Sequence, residues 1–227
     1  MSGLITFEGI DGTGKSTLVR ALAARASAIG VRCWQTAEPT EGPIGQLLAD
    51  RAVRMASAPA QALLFVADRY DHQASIEAHI AAGQWVLCDR YDLSTFAYQS
   101  VLLERQTDPR HSLSEPLAWL GSLHGRSMRT PDATILLLGR VEQMLGRTNM
   151  RGGGQDRRFE RVELLEEVQR RYEQVAGAAA HGRLFGLPAR RVSILDATAS
   201  SADLAQAGWD ALVPLLDPAY QPPAAVK

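Results

Sequence analysis

The chain has 227 residues, 46% of them hydrophobic and 22% charged, a balance that supports a buried core and excludes a largely disordered protein. Its 24 basic side chains nearly cancel the 25 acidic ones, which removes any global pull toward nucleic acid or an anionic membrane surface. No window approaches about 18 uninterrupted apolar residues and no basic leader precedes the first apolar run, so a cytoplasmic protein with no membrane or nucleic-acid partner is expected.

In chain order, an apolar run at 4–7 predicts a first buried strand, and helical spacing follows over 16–29. A second strand is expected at 31–34, a long helix over 58–82, and a third strand at 85–88. The polar, proline-punctuated stretch 106–116 reads as an exposed connection before a fourth strand at 134–138. A helix over 159–180, a fifth strand at 192–195 and a helix over 201–216 complete the pattern. Strands alternating with helices predict an α/β fold, a five-stranded parallel sheet covered by helices on both faces, in a single domain over residues 1–216. The proline- and alanine-rich residues 217–227 are expected to form a flexible tail. Cys33 and Cys88 each fall in a strand pattern without a partner at metal-ligand spacing, and read as buried reduced thiols.

The strongest motif is GIDGTGKS, from Gly9 to Ser16, directly after the first strand and before the first helix. Gly9, Gly12 and Gly14 let the chain curl so that the amides of the loop, through Ile10, Asp11 and Thr13, face phosphate oxygens. The following helix adds its positive end, Lys15 reaches the outer phosphates, Ser16 offers a hydroxyl to Mg²⁺, and Thr17 supports the turn. Such a loop binds a nucleoside triphosphate but does not select the acceptor. A second local pattern is the strand WVLCD, which ends in Asp89, a carboxylate placed to orient hydrated Mg²⁺ beside the loop. Phe65 and Arg69, four residues apart, share a helical face and set an aromatic plane beside a guanidinium. Thr95 and Gln99 share a second face, with Tyr98 beside them.

Three blocks, FEGIDGTGKST at Phe7 to Thr17, LLFVADR at Leu63 to Arg69 and DRYDLSTFAYQ at Asp89 to Gln99, resemble the thymidylate kinase family, with a weaker LDAT at Leu195 to Thr198. The resemblance covers most of residues 3–216 and implies ATP and Mg²⁺ as cofactors and dTMP as acceptor. It further implies that Phe65 stacks on thymine, that Arg69 donates to a base carbonyl, and that Arg90 grips the acceptor phosphate. It brings Thr95, Tyr98 and Gln99 to the base edge and deoxyribose, with Tyr98 crowding a ribose 2′-hydroxyl, and turns Asp11 toward the acceptor sugar. Family members commonly pair as homodimers through helices, and the alanine-rich 58–82 helix suits close packing.

Some members carry an arginine beside the loop carboxylate where this chain has Gly12, so that charge must come from elsewhere. Residues 140–161 hold six arginines against three acids around three consecutive glycines, and are expected to form a mobile basic lid. Arg147, Arg151, Arg157 and Arg158 are its candidates for stabilising the transferring phosphoryl group, with Arg151 first. Two further departures are Ala37 before Glu38-Pro39, where the family usually has an arginine, and Leu138-Gly139-Arg140, where it commonly has an aspartate. These departures leave open a related kinase for another deoxypyrimidine nucleotide or a nucleoside; an ATP-dependent switch or scaffold is the alternative from a different class.

Overall fold

Five strands, β1 Gly3–Glu8, β2 Cys33–Ala37, β3 Trp85–Asp89, β4 Ala133–Leu138 and β5 Arg191–Asp196, pair in parallel in the order β2-β3-β1-β4-β5. The computed structural model describes residues 1–50, 57–106, 108, 112–125, 128–147 and 155–217, with the backbone alone over 155–160. The helices are α1 Lys15–Ala28, α2 Pro43–Ala49, α3 Ala58–Ala81, α4 Asp92–Glu104, α5 Pro116–His124, α6 Val141–Arg147, α7 Gln155–Ala180 and α8 Ser201–Leu216.

Side chains alternate across the sheet and divide its core between two faces. Leu4, Val86 and Cys88 fall in one cluster with Val66 and Ile76 of α3. Ile5, Phe7 and Leu87 fall in the other, with Leu18, Val19 and Leu22 of α1. The central strands β1, β3 and β4 are buried almost throughout, as unbroken apolar runs in a parallel sheet require. The edge strands are not: β2 and β5 are partly exposed, and Ile194 is 58% exposed. Cys33, on edge strand β2, is accordingly half-buried rather than buried, while Cys88 is enclosed.

The second strand lies later than its apolar run predicts. Gly30, at φ 79°, closes α1: its amide donates to Ser27 and that of Val31 donates to Ala26. Residues 29–31 therefore finish the helix, and pairing with β3 starts only afterwards. The expected connection 106–116 ends where Pro116 opens α5, and the expected lid 140–161 is helical over α6 and again from Gln155 onward. Residues 148–154 and most of the expected tail, 218–227, lie outside the described residues. Among the described residues no helix is long and apolar enough to cross a membrane. Because all five strands run the same way, the segments after β1, β2, β3 and β5 converge at one edge of the sheet, where ligands bind in such folds.

Candidate active site

The loop between β1 and α1 is built on positive-φ glycines, and at Gly9 even a Cβ is excluded because it would sit 2.4 Å from the Leu137 carbonyl oxygen. Gly14 caps α1 in the left-handed conformation and no side chain covers the cap, so the first helical amides face outward as an anion cradle. The Ile10 carbonyl accepts from Thr13 Oγ1 at 2.8 Å and from Lys15 Nζ at 3.0 Å, which folds the lysine over the loop. Burial, followed by the charge of Arg90, draws the Lys15 ammonium down to about 7. Gly12 through Thr17 line a cavity of about 910 Å³, whereas Gly9 and Ile10 lie beneath the loop and Ile10 packs in the core.

Ser16 Oγ hydrogen-bonds Asp89 Oδ2, while Asp89 Oδ1 is buried without a hydrogen-bond partner among the described residues. A hydroxyl beside a carboxylate with an uncommitted oxygen is an oxygen donor set suited to a hard divalent cation, so these residues fit Mg²⁺. The other wall of this cavity is the segment after β5, from Thr198 to Ala205, together with Arg147. Arg147 Nη1 donates to the Ala197 carbonyl at 2.8 Å, which ties this lid candidate to the β5–α8 connection. Of the other lid candidates, Arg151 lies outside the described residues and Arg157 and Arg158 sit on α7 with no described side chains. Arg161, one turn further along, was not among the candidates. Burial raises the Asp11 carboxyl, but the charges of Arg90, Lys15 and Arg161 more than offset it and hold the group low.

A second cavity, of about 350 Å³, is lined by Phe65, Arg69, Thr95, Tyr98 and Gln99, so every expected acceptor-side residue is brought together. Asp11, Glu38 and Arg90 line both cavities, and so mark where they meet. Arg90 adopts φ 72°, unusual for a side chain with a Cβ, and its guanidinium carbon lies 5.3 Å from the Tyr98 ring centroid. Its Nη2 donates to Asp11 at 2.6 Å, and its Nη1 donates to the hydroxyls of Ser94 and Tyr172, each at 3.2 Å. The Tyr98 hydroxyl is buried without a hydrogen-bond partner among the described residues.

Arg69 is only 1% exposed, and most of its donors are already engaged. It donates to Glu38 at 2.8 Å, to the Tyr91 carbonyl at 2.8 Å, to Thr95 Oγ1 at 2.9 Å and to His124 Nε2 at 2.9 Å. His124 Nδ1 donates to the Leu120 carbonyl, and burial together with the Arg69 charge pulls the imidazole down to about 4, so it stays neutral and accepting. Thr95 thus holds Arg69 as well as lining the pocket. The Glu38 carboxylate also meets His72 Nδ1 at 3.1 Å, and Asp68 holds the following loop through the Thr40 amide and hydroxyl. Cys88 comes within 4.8 Å of the ligand atoms of Glu38 and His72, but hydrogen bonds and the Arg69 charge already occupy this group.

His124 and Tyr172 were not singled out from sequence, because each acts on its partner through the fold and no local pattern marks it; Glu38 and Asp68 fall in blocks already noted, but their roles as partners of Arg69 and Thr40 emerge only in the fold. Glu8 could have been suspected as a carboxylate closing an apolar strand, as Asp89 does.

A family model described as thymidylate kinase matches residues 7–191. A thymidylate kinase of Rhodopseudomonas palustris is 34% identical over 225 residues, covering 95% of this chain and 90% of the relative. A probable thymidylate kinase of Natronomonas pharaonis is 33% identical over 216 residues, covering 94% and 98%, and one of Methanospirillum hungatei is 37% identical over 174 residues, covering 76% and 79%. With its phosphate cradle and with a family model and relatives matching along nearly its whole length, the chain belongs to the thymidylate kinase family.

Proposed function

We propose that the chain transfers the γ-phosphoryl group of ATP to dTMP, giving ADP and dTDP. The observation that carries this reading is the junction of two cavities at Arg90 and Asp11, one lined by the phosphate loop and the other by Phe65, Tyr91 and Tyr98. The acceptor base stacks on Phe65 with Arg69 at its edge, Thr95 and Gln99 approach the base edge and deoxyribose, and Tyr98 crowds the place of a ribose 2′-hydroxyl. Arg90 exchanges Asp11 for the acceptor phosphate, whose oxygen attacks the γ-phosphorus in line; the new P–O bond forms as the bond to the β–γ bridging oxygen breaks. The phosphate oxygen needs no strong base, so the chain contributes positioning and charge. Lys15 and the loop amides hold the triphosphate. Ser16 and Asp89, directly or through water, would hold Mg²⁺, which supplies charge neutralisation at the phosphates. Arg151 is the first candidate for stabilising the transferring group, and Arg147 lines the nucleotide cavity beside Thr198. A second copy packs against α3, whose Leu63 and Tyr70 are exposed.

The test is coupled ADP release with dTMP, deoxyuridylate, deoxycytidylate and thymidine. The expected result is strong stimulation by dTMP and a loss on the order of 10³-fold in Arg90→Ala. ATP hydrolysis indifferent to every acceptor would overturn the assignment.

A further inference from the structure

We infer that Glu8, buried behind the acceptor arginine, is a positioning residue for phosphoryl transfer, its carboxylate turning the hydroxyls of Ser94 and Tyr172 into acceptors for Arg90. The argument rests on the acceptor role of Arg90 proposed above and on the direction of each hydrogen bond. A guanidinium only donates, so both hydroxyl oxygens must accept from Arg90 Nη1 and send their own hydrogens elsewhere. Ser94 donates to Glu8 Oε2 at 2.6 Å. The Tyr172 hydroxyl lies 2.7 Å from Ser94 Oγ and 3.4 Å from the same carboxylate oxygen, the two destinations for its hydrogen among the described residues. The other oxygen, Oε1, accepts the Tyr91 amide at 2.9 Å. The hydrogens of Ser94, Tyr172 and the Tyr91 amide therefore run toward Glu8, directly or through Ser94, an order that suits an ionised carboxylate, which only accepts.

A protonated Glu8 would donate to Ser94, and the Ser94 hydrogen would then turn toward Tyr172, where it competes with Arg90 for the phenol oxygen and leaves the Tyr172 hydrogen without a destination among the described residues. The arrangement is poised near that reversal. Glu8 and Tyr172 are fully buried, and burial pushes the Glu8 carboxyl up to about 7, against the Ser94 hydrogen bond. The charged groups facing it are Asp92, which raises it further, Arg90 and Arg69, which lower it, and Lys15; the Tyr172 hydroxyl and the Cys88 thiol face it uncharged. The network joins the end of β1, the start of α4 and the middle of α7, three elements that share no local sequence pattern.

The experiment compares kcat, the KM for dTMP and the KM for ATP in the wild type, Glu8→Gln and Tyr172→Phe, from about pH 6 to about pH 9. Glu8→Gln keeps the shape but cannot ionise, so above neutral pH it should raise the dTMP KM by about tenfold, the scale of one charge-assisted hydrogen bond, with the ATP KM changed less than about twofold. The ratio of wild-type to Glu8→Gln efficiency cancels the titration of the substrate phosphate. It should fall toward one as the pH drops below about 6, where the wild-type carboxyl is also neutral. Tyr172→Phe should raise the dTMP KM in the same direction while retaining the wild-type pH dependence, and it carries the test if Glu8→Gln does not fold. A ratio independent of pH, equal effects on both substrates, or an unchanged KM in Tyr172→Phe would overturn the inference. A wild type inactive toward dTMP would instead sink the functional reading beneath it.

Discussion

Arg69 and Arg90 carry the same charge but sit in opposite circumstances. Arg90 is held by a partly exposed carboxylate that a phosphate can replace, since the Asp11 side chain is 59% exposed. Arg69 is locked: its ion pair with Glu38 spans 2.7 Å, with both side chains at 3% exposure or less. A buried pair of this kind contributes little over an apolar replacement of both partners, but removing one partner strands the other. Arg69→Leu should therefore destabilise the protein by about 3–5 kcal/mol, most of it the cost of a buried Glu38 carboxylate left with His72 alone. Denaturant unfolding measures this, and the double variant Arg69→Leu/Glu38→Gln should recover part of the loss. No recovery would mean that the arginine contributes through its other bonds, to His124, Thr95 and the Tyr91 carbonyl. Arg69→Lys should not restore the wild type, because an ammonium cannot reach four acceptors laid out around a planar fork.

The helices that flank the nucleotide cavity differ in how they begin. α1 leaves its N-terminal amides open for phosphate, whereas Ser200 caps α8 by accepting from the Asp203 amide at 3.1 Å and donating to its carboxylate at 2.7 Å. Ser200→Ala should cost about 1 kcal/mol, a fall of about 2–4 °C in Tm for a chain of this size. Because Ser200 and Ser201 also line the cavity, the ATP KM should rise in the same variant. An unchanged Tm would show that the cap contributes nothing to α8. Helical spacing alone made these elements legible in the sequence, and caps fix the starts it gave. Ser57 ahead of α3, accepting from the Ala60 amide, and Ser200 ahead of α8 mark starts that match the apolar spacing. The start of β2 was misplaced because Val31, the first apolar residue of its run, is spent on closing α1, while its strand residues include the polar pair Gln35-Thr36. Short α5 and α6 offered too few turns for a period to emerge from prolines and charges.

Across the chain as folded, what could be read in advance was local and what could not was assembled over long separations. The phosphate loop lies in one run of eight residues, so its spacing alone announces it. The Glu8–Ser94–Tyr172 group joins residues 86, 78 and 164 positions apart, and the packing of α4 against α7 beside the end of β1 makes them neighbours. That same assembly has a thermodynamic consequence. In the unfolded chain Glu8 titrates near its ordinary 4.5, and in the folded protein near 7. Below 4.5 both states hold the proton, and above 7 neither does; between them the folded protein keeps a proton that the unfolded chain releases. The group's contribution is thus fully present at low pH and is lost as pH rises through about 7, a difference on the order of 3 kcal/mol at 1.36 kcal/mol per unit. Glu8→Gln never ionises and so escapes this loss. The difference in unfolding free energy, variant minus wild type, should climb between about pH 4.5 and about pH 7 and level off above, because titrations common to both proteins cancel. A difference that stays flat, or that falls over this interval, would mean the carboxyl is ionised at little cost in the folded protein, with its three donors offsetting its burial.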